Sequence, residues 1–291
     1  MKGLVLKGIG GFYTVWTPEG EIVCKARGRF RLDGITPVAG DEVEYEKEDS
    51  QGRIVSVLPR KNALIRPCVA NIDRLAIVIT ASSPRPDLLL VDKLMLQAYM
   101  LSIEPMLVIN KIDERDCELF NSVSEQYEAA GCMMLAVSTY SGEGMDKLRG
   151  MLAGKTTCFA GQSAVGKSSI LNFLIPSLNL DVDTLVSRAD RGKQTTRHAE
   201  LWLIDNGGAV LDTPGFYLLD IDALEPEKLG EYYPEMRSHI RDCRFCECLH
   251  DTEPGCAVKP LIAQGKLSQG RYERYLELLE YFKTLRRRRY D

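Results

Sequence analysis

No segment of this 291-residue chain is apolar for long enough to cross a membrane. Met1-Lys2-Gly3 runs straight into strand-like sequence, without the apolar core and small-residue cleavage site of a secretion leader, so a cytoplasmic protein is expected. No disordered tract dominates, and a hydrophobic content of 45% suits two or three packed domains. An excess of positive charge is missing too: the formal net charge is −4. Taken whole, that argues against nucleic acid as a partner, but the charge is unevenly placed. Residues 1–66 hold 11 basic against 9 acidic groups, residues 67–221 hold 13 against 19, and residues 222–291 hold 13 against 13. The acidity belongs to the middle of the chain, and both flanks stay free to carry basic surfaces. Disulfides are not expected either. Of nine cysteines, Cys24, Cys68, Cys117, Cys132 and Cys158 are scattered, as single buried thiols are, while the other four crowd between 243 and 256.

What is present is organised around Gly161-Gln162-Ser163-Ala164-Val165-Gly166-Lys167-Ser168-Ser169. This Gly-x-x-x-x-Gly-Lys-Ser run leaves the apolar segment 156–160 and enters a helical one at Ile170, the strand, loop and helix order of a phosphate-binding loop. Its glycines let backbone N–H groups converge on a β-phosphate at a helix N-terminus. Lys167 would reach the β- and γ-phosphates, and Ser168 would place its hydroxyl on Mg²⁺. The base is named by Asn110-Lys111-Ile112-Asp113 at the end of the apolar strand 106–109. Such a turn offers a carboxylate to guanine N1 and N2, which adenine cannot match. Alone, that tetrapeptide is an ordinary polar turn. It gains weight from Asp212-Thr213-Pro214-Gly215, from the paired threonines Thr195-Thr196, and from Ser138 after a strand.

The order of these elements is unusual. An ordinary GTPase places the phosphate loop first, whereas here Asn110–Asp113 and Ser138 precede it, so the domain reads as circularly permuted. Termini that lie close together at a domain surface make such a permutation feasible. The paired threonines fall in a polar stretch between Pro176 and Arg197, the expected place of a switch segment; one of Thr195 and Thr196, with Thr196 favoured, would ligate Mg²⁺. Asp212 would serve the second shell of that ion, and the Gly215 N–H would sense the γ-phosphate. After Gly215, where many signalling GTPases carry a water-positioning glutamine, stands Phe216, whose ring cannot orient water. His198 is the nearest substitute, although a histidine at a strand edge is more often structural.

Residues 1 to about 66 read as a small β unit of five short strands, an OB-like barrel. Lys25, Arg27, Arg29 and Arg31 fall at period two, a solvated strand face or an RNA-binding one. The acidic strand Glu42, Glu44, Glu46 and Glu48 is expected to pair with it. Pro59 to Pro67 reads as a linker. From Arg74, strand and helix alternate, which means a largely parallel sheet with helices on both faces. Residues 205–207 suggest a type I′ hairpin turn. Near the end, Cys243, Cys248, His250 and Cys256 offer three thiolates and an imidazole within fourteen residues, the donor set of a closed structural zinc site. Cys246 competes for one ligand place. Arg241, Arg244 and Lys259 surround the cluster, and a helix 271–285 leads to the tail Arg286-Arg287-Arg288-Arg289, a solvated terminus or a phosphate-contacting one.

Asn-Lys-Ile-Asp, Gly-Gln-Ser-Ala-Val-Gly-Lys-Ser-Ser, Arg-Gly-Lys-Gln-Thr-Thr-Arg-His, Asp-Thr-Pro-Gly and Cys-x4-Cys-x-His-x5-Cys, in this order, closely resemble the ribosome small-subunit-dependent GTPase A family, RsgA or YjeQ. The resemblance covers the whole chain. It implies an α/β architecture in three parts: an OB-fold RNA-binding domain (1–66), a circularly permuted P-loop GTPase domain (67–221) and a zinc-binding, partly helical domain (222–291). It further implies a bacterial monomer that binds GTP with Mg²⁺ and one structural zinc ion. Such a factor joins the 30S subunit and its 16S rRNA late in maturation, hydrolyses GTP when the subunit stimulates it, and leaves. The family's catalytic histidine after the paired threonines corresponds to His198. A non-enzymatic RNA-binding protein that holds GTP only as a structural ligand is the main rival reading.

Overall fold

The computed structural model describes residues 1–26, 35–48, 51–64, 68–178, 180, 199–212 and 224–290. Strands β1 (Lys2–Ile9), β2 (Phe12–Thr17), β3 (Gly20–Ala26), β4 (Glu42–Glu48) and β5 (Gln51–Val57) close into an OB-like barrel in the order β1-β2-β3-β5-β4. Alternation sets the faces: Tyr13, Val15 and Thr17 of β2 point inward, while Phe12 and Trp16 stay outside. Val5, Cys24, Val43, Tyr45 and Ile54 complete this small core. Among the described residues the expected pairing of the acidic strand with the basic one is not found. β4 pairs with β1 and β5, whereas β3, which carries Lys25, pairs with β2 and β5. The alternation of β4 reports that one face is buried; it carries no information about which neighbour closes the barrel. Arg27, Arg29 and Arg31 lie outside the described residues.

The stretch read as a linker is fastened at both ends. Arg60 donates to both oxygens of the fully buried Asp41 (2.7 and 2.8 Å). Asn71 accepts from Lys61 N (2.8 Å) and donates to Gly40 O (2.9 Å). Between them, β6 (Ala63–Leu64) pairs with β7 (Val69–Ala70).

The main sheet consists of β8 (Arg74–Thr80), β9 (Glu104–Asn110), β10 (Met133–Ala136), β11 (Thr156–Ala160), β12 (Leu201–Leu203) and β13 (Ala209–Asp212), in the order β10-β9-β8-β11-β13-β12. Only β12 runs antiparallel to its neighbour. Parallel strands covered on both sides need apolar residues at every position, and β8 is buried throughout. On one face Ile77, Ile79, Leu107 and Ile109 meet helices α1 (Leu88–Met100) and α2 (Cys117–Ala129). On the other, Val78, Val108 and Phe159 meet α3 (Met145–Met151) and α4 (Lys167–Leu174). Asp87 caps α1, its carboxylate accepting from Leu90 N (2.9 Å). The β12–β13 turn is not type I′. Its positive φ falls on Gly207 (+76°) and not on Asn206, whose side chain instead accepts from Gly208 N, so a type I turn closed by a left-handed glycine joins the strands. The scattered thiols also divide: Cys24 and Cys158 are buried, but Cys68 and Cys117 are exposed because they sit at a turn and at the first residue of α2.

Helix α5 (Gln269–Tyr290) absorbs the arginine tail instead of ending before it. Arg286 reaches Glu227 (2.7 Å) and Arg289 reaches Glu225 (3.5 Å), so part of that charge is answered within the chain. Tyr275, Leu278, Leu279 and Phe282 of α5 pack with Leu229, Met236 and Leu261, and with Leu96 from α1. At the start of α5, Arg271 is almost fully buried. Its guanidinium donates to Asp92 of α1 (2.5 Å) and to Glu235, and lies 5.3 and 4.8 Å from the ring centres of Tyr127 and Tyr233. Asp92 also accepts from Arg274 (2.6 Å) and Tyr127 (2.8 Å). No helix among the described residues is long and apolar enough to cross a membrane.

Removing one member of a buried ion cluster strands its partners. Arg271→Met is expected to cost about 3–5 kcal/mol, read as a lowered urea midpoint, and Arg274→Met much less because Asp92 keeps Arg271 and Tyr127. Equal losses in the two variants would contradict this assignment of the hub.

Candidate functional site

The loop 161–166 bends where β11 meets α4, and two of its glycines are required by their neighbours. Gly161 has φ +133°, and a Cβ there would lie 2.2 Å from Val78 O of β8. Gly166 has φ +90°, and a Cβ there would lie 2.2 Å from Asn110 Nδ2. Gly166 is also the N-cap of α4 and offers no side chain, so the first amides of that helix remain available to an anion. Lys167 Nζ donates to Gly161 O (2.8 Å) and Gln162 O (2.6 Å), which holds the ammonium inside the curve of the loop. Ser163 and Ala164 are exposed, Val165 is buried, and Ser168 and Ser169 are half-buried in the first turn of α4, where Ser168 could hold Mg²⁺. Gln162 turns away: its Oε1 accepts from Asp87 N (2.7 Å) and its Nε2 donates to Arg85 O (2.8 Å). Nothing in the loop's spacing announces that connection.

The turn Asn110–Asp113, the expected reader of the base, stands beside this loop. Asn110, 1% exposed at the end of β9, donates to Val165 O (2.9 Å), and its Oδ1 is buried with no partner among the described residues. Lys111 is left-handed (φ +59°) and its Nζ donates to Ser83 O (3.2 Å). Ile112 is buried, whereas Asp113 projects to the surface, available to a base. Ser138 is fully buried; its Oγ accepts from Tyr140 N (3.2 Å) and Ser141 N (3.1 Å), shaping the neighbouring loop. Ile112 N donates to Val137 O (3.3 Å), tying the two loops together. Asp212 ends β13, its backbone in register with Phe159 just before the phosphate loop. Thr195, Thr196, His198, Gly215 and Phe216 lie outside the described residues.

Further along the chain, Cys243, Cys248, His250 and Cys256 present their ligand atoms within 4.8 Å of one another. Cys243 Sγ and Cys256 Sγ lie 3.6 and 3.5 Å from His250 Nδ1. A tetrahedral zinc ion with ordinary Zn–S and Zn–N bonds sets its ligands roughly 3.5–3.8 Å apart, so the donor set and its spacing fit that ion. Cys246, the competitor, is exposed and outside the cluster. Burial pushes the Cys248 thiol up to about 12 and the His250 imidazole down. A neutral imidazole suits ligation, while the thiol must give its proton up to the metal. Around the cluster, Glu253 accepts from Leu249 N (3.0 Å) and Asp251 N (2.9 Å), and Tyr272 and Tyr275 of α5 donate to His250 O (2.7 Å) and Leu249 O (2.9 Å).

Two measurements follow from this geometry. Cys248→Ser should lose zinc from the purified protein while Cys246→Ser keeps one ion per chain, both read by metal analysis. Because the raised thiol pKa makes protons compete with the metal, zinc affinity should fall as pH is lowered; a flat pH dependence would count against thiolate ligation.

The family model for the RsgA GTPase matches residues 57–222, and that for the RsgA N-terminal domain matches residues 2–55. The small ribosomal subunit biogenesis GTPase RsgA of Halalkalibacterium halodurans is 41% identical over 99% of both chains. Its counterpart from Caldanaerobacter subterraneus is 41% identical over 100% of this chain and 98% of its own. Among solved structures, YjeQ from Thermotoga maritima superposes with a TM-score of 0.84 at 36% identity, covering 97% of this chain and 98% of that one. YloQ, a circularly permuted GTPase, superposes with a TM-score of 0.79 at 35% identity, covering 97% and 95%. With its Gly161–Ser169 loop packed on the Asn110–Asp113 turn that precedes it in the sequence, and matched end to end by these relatives, the chain belongs to the RsgA GTPase family.

Proposed function

We propose that this GTPase joins the small (30S) ribosomal subunit late in its maturation, contacts 16S rRNA in the GTP state, is stimulated to hydrolyse GTP there, and dissociates afterwards. What supports the reading is the full-length match to relatives named as small ribosomal subunit biogenesis GTPases. The barrel, the nucleotide domain and the Cys/His module are all included in that match. It would work in the cytoplasm as a monomer.

In this reading Asn110, Asp113 and the loop of Ser138 select guanine, and the amides of 161–169 with Lys167 hold the phosphates. Ser168 and Thr196 would hold Mg²⁺, which neutralises charge on the β- and γ-phosphates when bound. Asp212 and Gly215 sense the γ-phosphate, and His198 positions the attacking water in place of the glutamine that Phe216 displaces. Zinc on Cys243, Cys248, His250 and Cys256 is structural, since four protein donors leave no open position. The exposed Phe12, with Lys25 Nζ 5.1 Å from its ring centre, and the exposed Phe245 with Arg244 at 5.7 Å give the two flanking modules stacking groups of the kind that suit RNA bases.

The test is GTP turnover with 30S subunits, with 50S subunits, and with ATP in place of GTP. Stimulation by 30S and GTP alone is expected, and His198→Ala should lose that stimulation while keeping GDP affinity. Bound GTP without any stimulation would favour a purely structural nucleotide.

A further inference from the structure

We propose that occupancy of the phosphate loop by a guanine nucleotide is mechanically linked to the placement of the Cys/His module, through Gln162, helix α1 and the buried pair Asp92–Arg271. Gln162 belongs to the phosphate loop in sequence, yet its side chain is spent on the segment before α1, with one bond to Asp87 N and one to Arg85 O. The base-reading side grips the same segment, because Lys111 donates to Ser83 O and Asp116 N donates to Ala81 O (2.8 Å). Both nucleotide-facing loops therefore hold residues 81–87, and Asp87 is the cap of α1. Five residues on, about 7.5 Å along a stiff helix, Asp92 receives Arg271 and Arg274 of α5. Arg271 continues to Glu235, and Leu96 of α1 is part of the core of the C-terminal module.

The far end of this route keeps unused hydrogen-bonding capacity. Two carboxylates and two guanidiniums balance in charge, but Tyr233 OH, Glu235 Oε2 and Arg274 Nη2 are buried with no hydrogen-bond partner among the described residues. A shift of α1 can re-pair these atoms without exposing a charge, which is what a two-state element requires. Linkage is reciprocal: a nucleotide that moves Gln162 biases the module, and a load on the module biases the nucleotide loop.

The test is hydrogen exchange on the full-length, zinc-loaded protein, with and without saturating Mg–GDP or a non-hydrolysable GTP analogue. Nucleotide should slow exchange at 161–169 and also at 233–237 and 269–275, by about threefold or more at the distant segments. In Gln162→Ala, read at nucleotide concentrations that fully protect 161–169, the slowing that nucleotide produces at 233–237 and 269–275 should disappear, each rate being compared with that of the same variant without nucleotide. Arg274→Met, which touches neither nucleotide loop, should show the same loss at 233–237. The proposal is overturned if wild-type protein shows no distant effect, or if that effect survives in either variant. A merely structural role for these residues would raise exchange with and without nucleotide alike.

Discussion

The contact on which the nucleotide site depends is between Gly166 and Asn110. It joins the Gly161–Ser169 loop to the Asn110–Asp113 turn so closely that one side-chain carbon at position 166 would collide with the asparagine amide. The contact exists because β8 lies between β9 and β11, and parallel strands deliver their following loops to one edge of the sheet. That edge is defined by strand order in space. Chain order does not enter, which is why the Asn110–Asp113 turn can precede the Gly161–Ser169 loop and still lie against it. What permutation changes is the covalent sequel: β13, which ends at Asp212, leads on to the C-terminal module.

Around that edge the fold is held by a few buried polar contacts set among apolar ones. Asp41 with Arg60 fastens the barrel to the strand pair that precedes the sheet. Asp92 with Arg271 fastens the C-terminal helix to α1. Buried ions are poor sources of net stability, since their desolvation offsets much of the attraction. Their effect is orientational, because a guanidinium between two carboxylates and two tyrosine rings has few acceptable positions, whereas a leucine seam tolerates sliding.

The fold class was legible because its signals are periodic or compositional. The apolar run 75–79 of β8, the strand–loop–helix order at Gly161 and the cap at Asp87 each depend on neighbours in sequence. The pairing of β4 was not legible, since alternation shows that a strand has a buried face and says nothing of its partner. The turn at Asn206 misled because an Asn-Gly pair suits two hairpin types, and the carboxamide bond to Gly208 N decides between them. The Cys/His donors could be proposed from spacing, but the exposure of Cys246 depends on the path of the loop. Least visible of all was the hub: Asp92, Glu235, Arg271 and Arg274 look like surface charges in a helical pattern, and only tertiary packing buries them.

The C-terminal module is thus reached from the nucleotide site by two routes of different character. One is the chain itself, from Asp212 to Leu224. The other is α1, packed along its length between the sheet and the module and pinned at its start by Gln162 and at its middle by Arg271. A packed helix fixes orientation as well as distance, because rotating it breaks the ridges and ion pairs on every side at once.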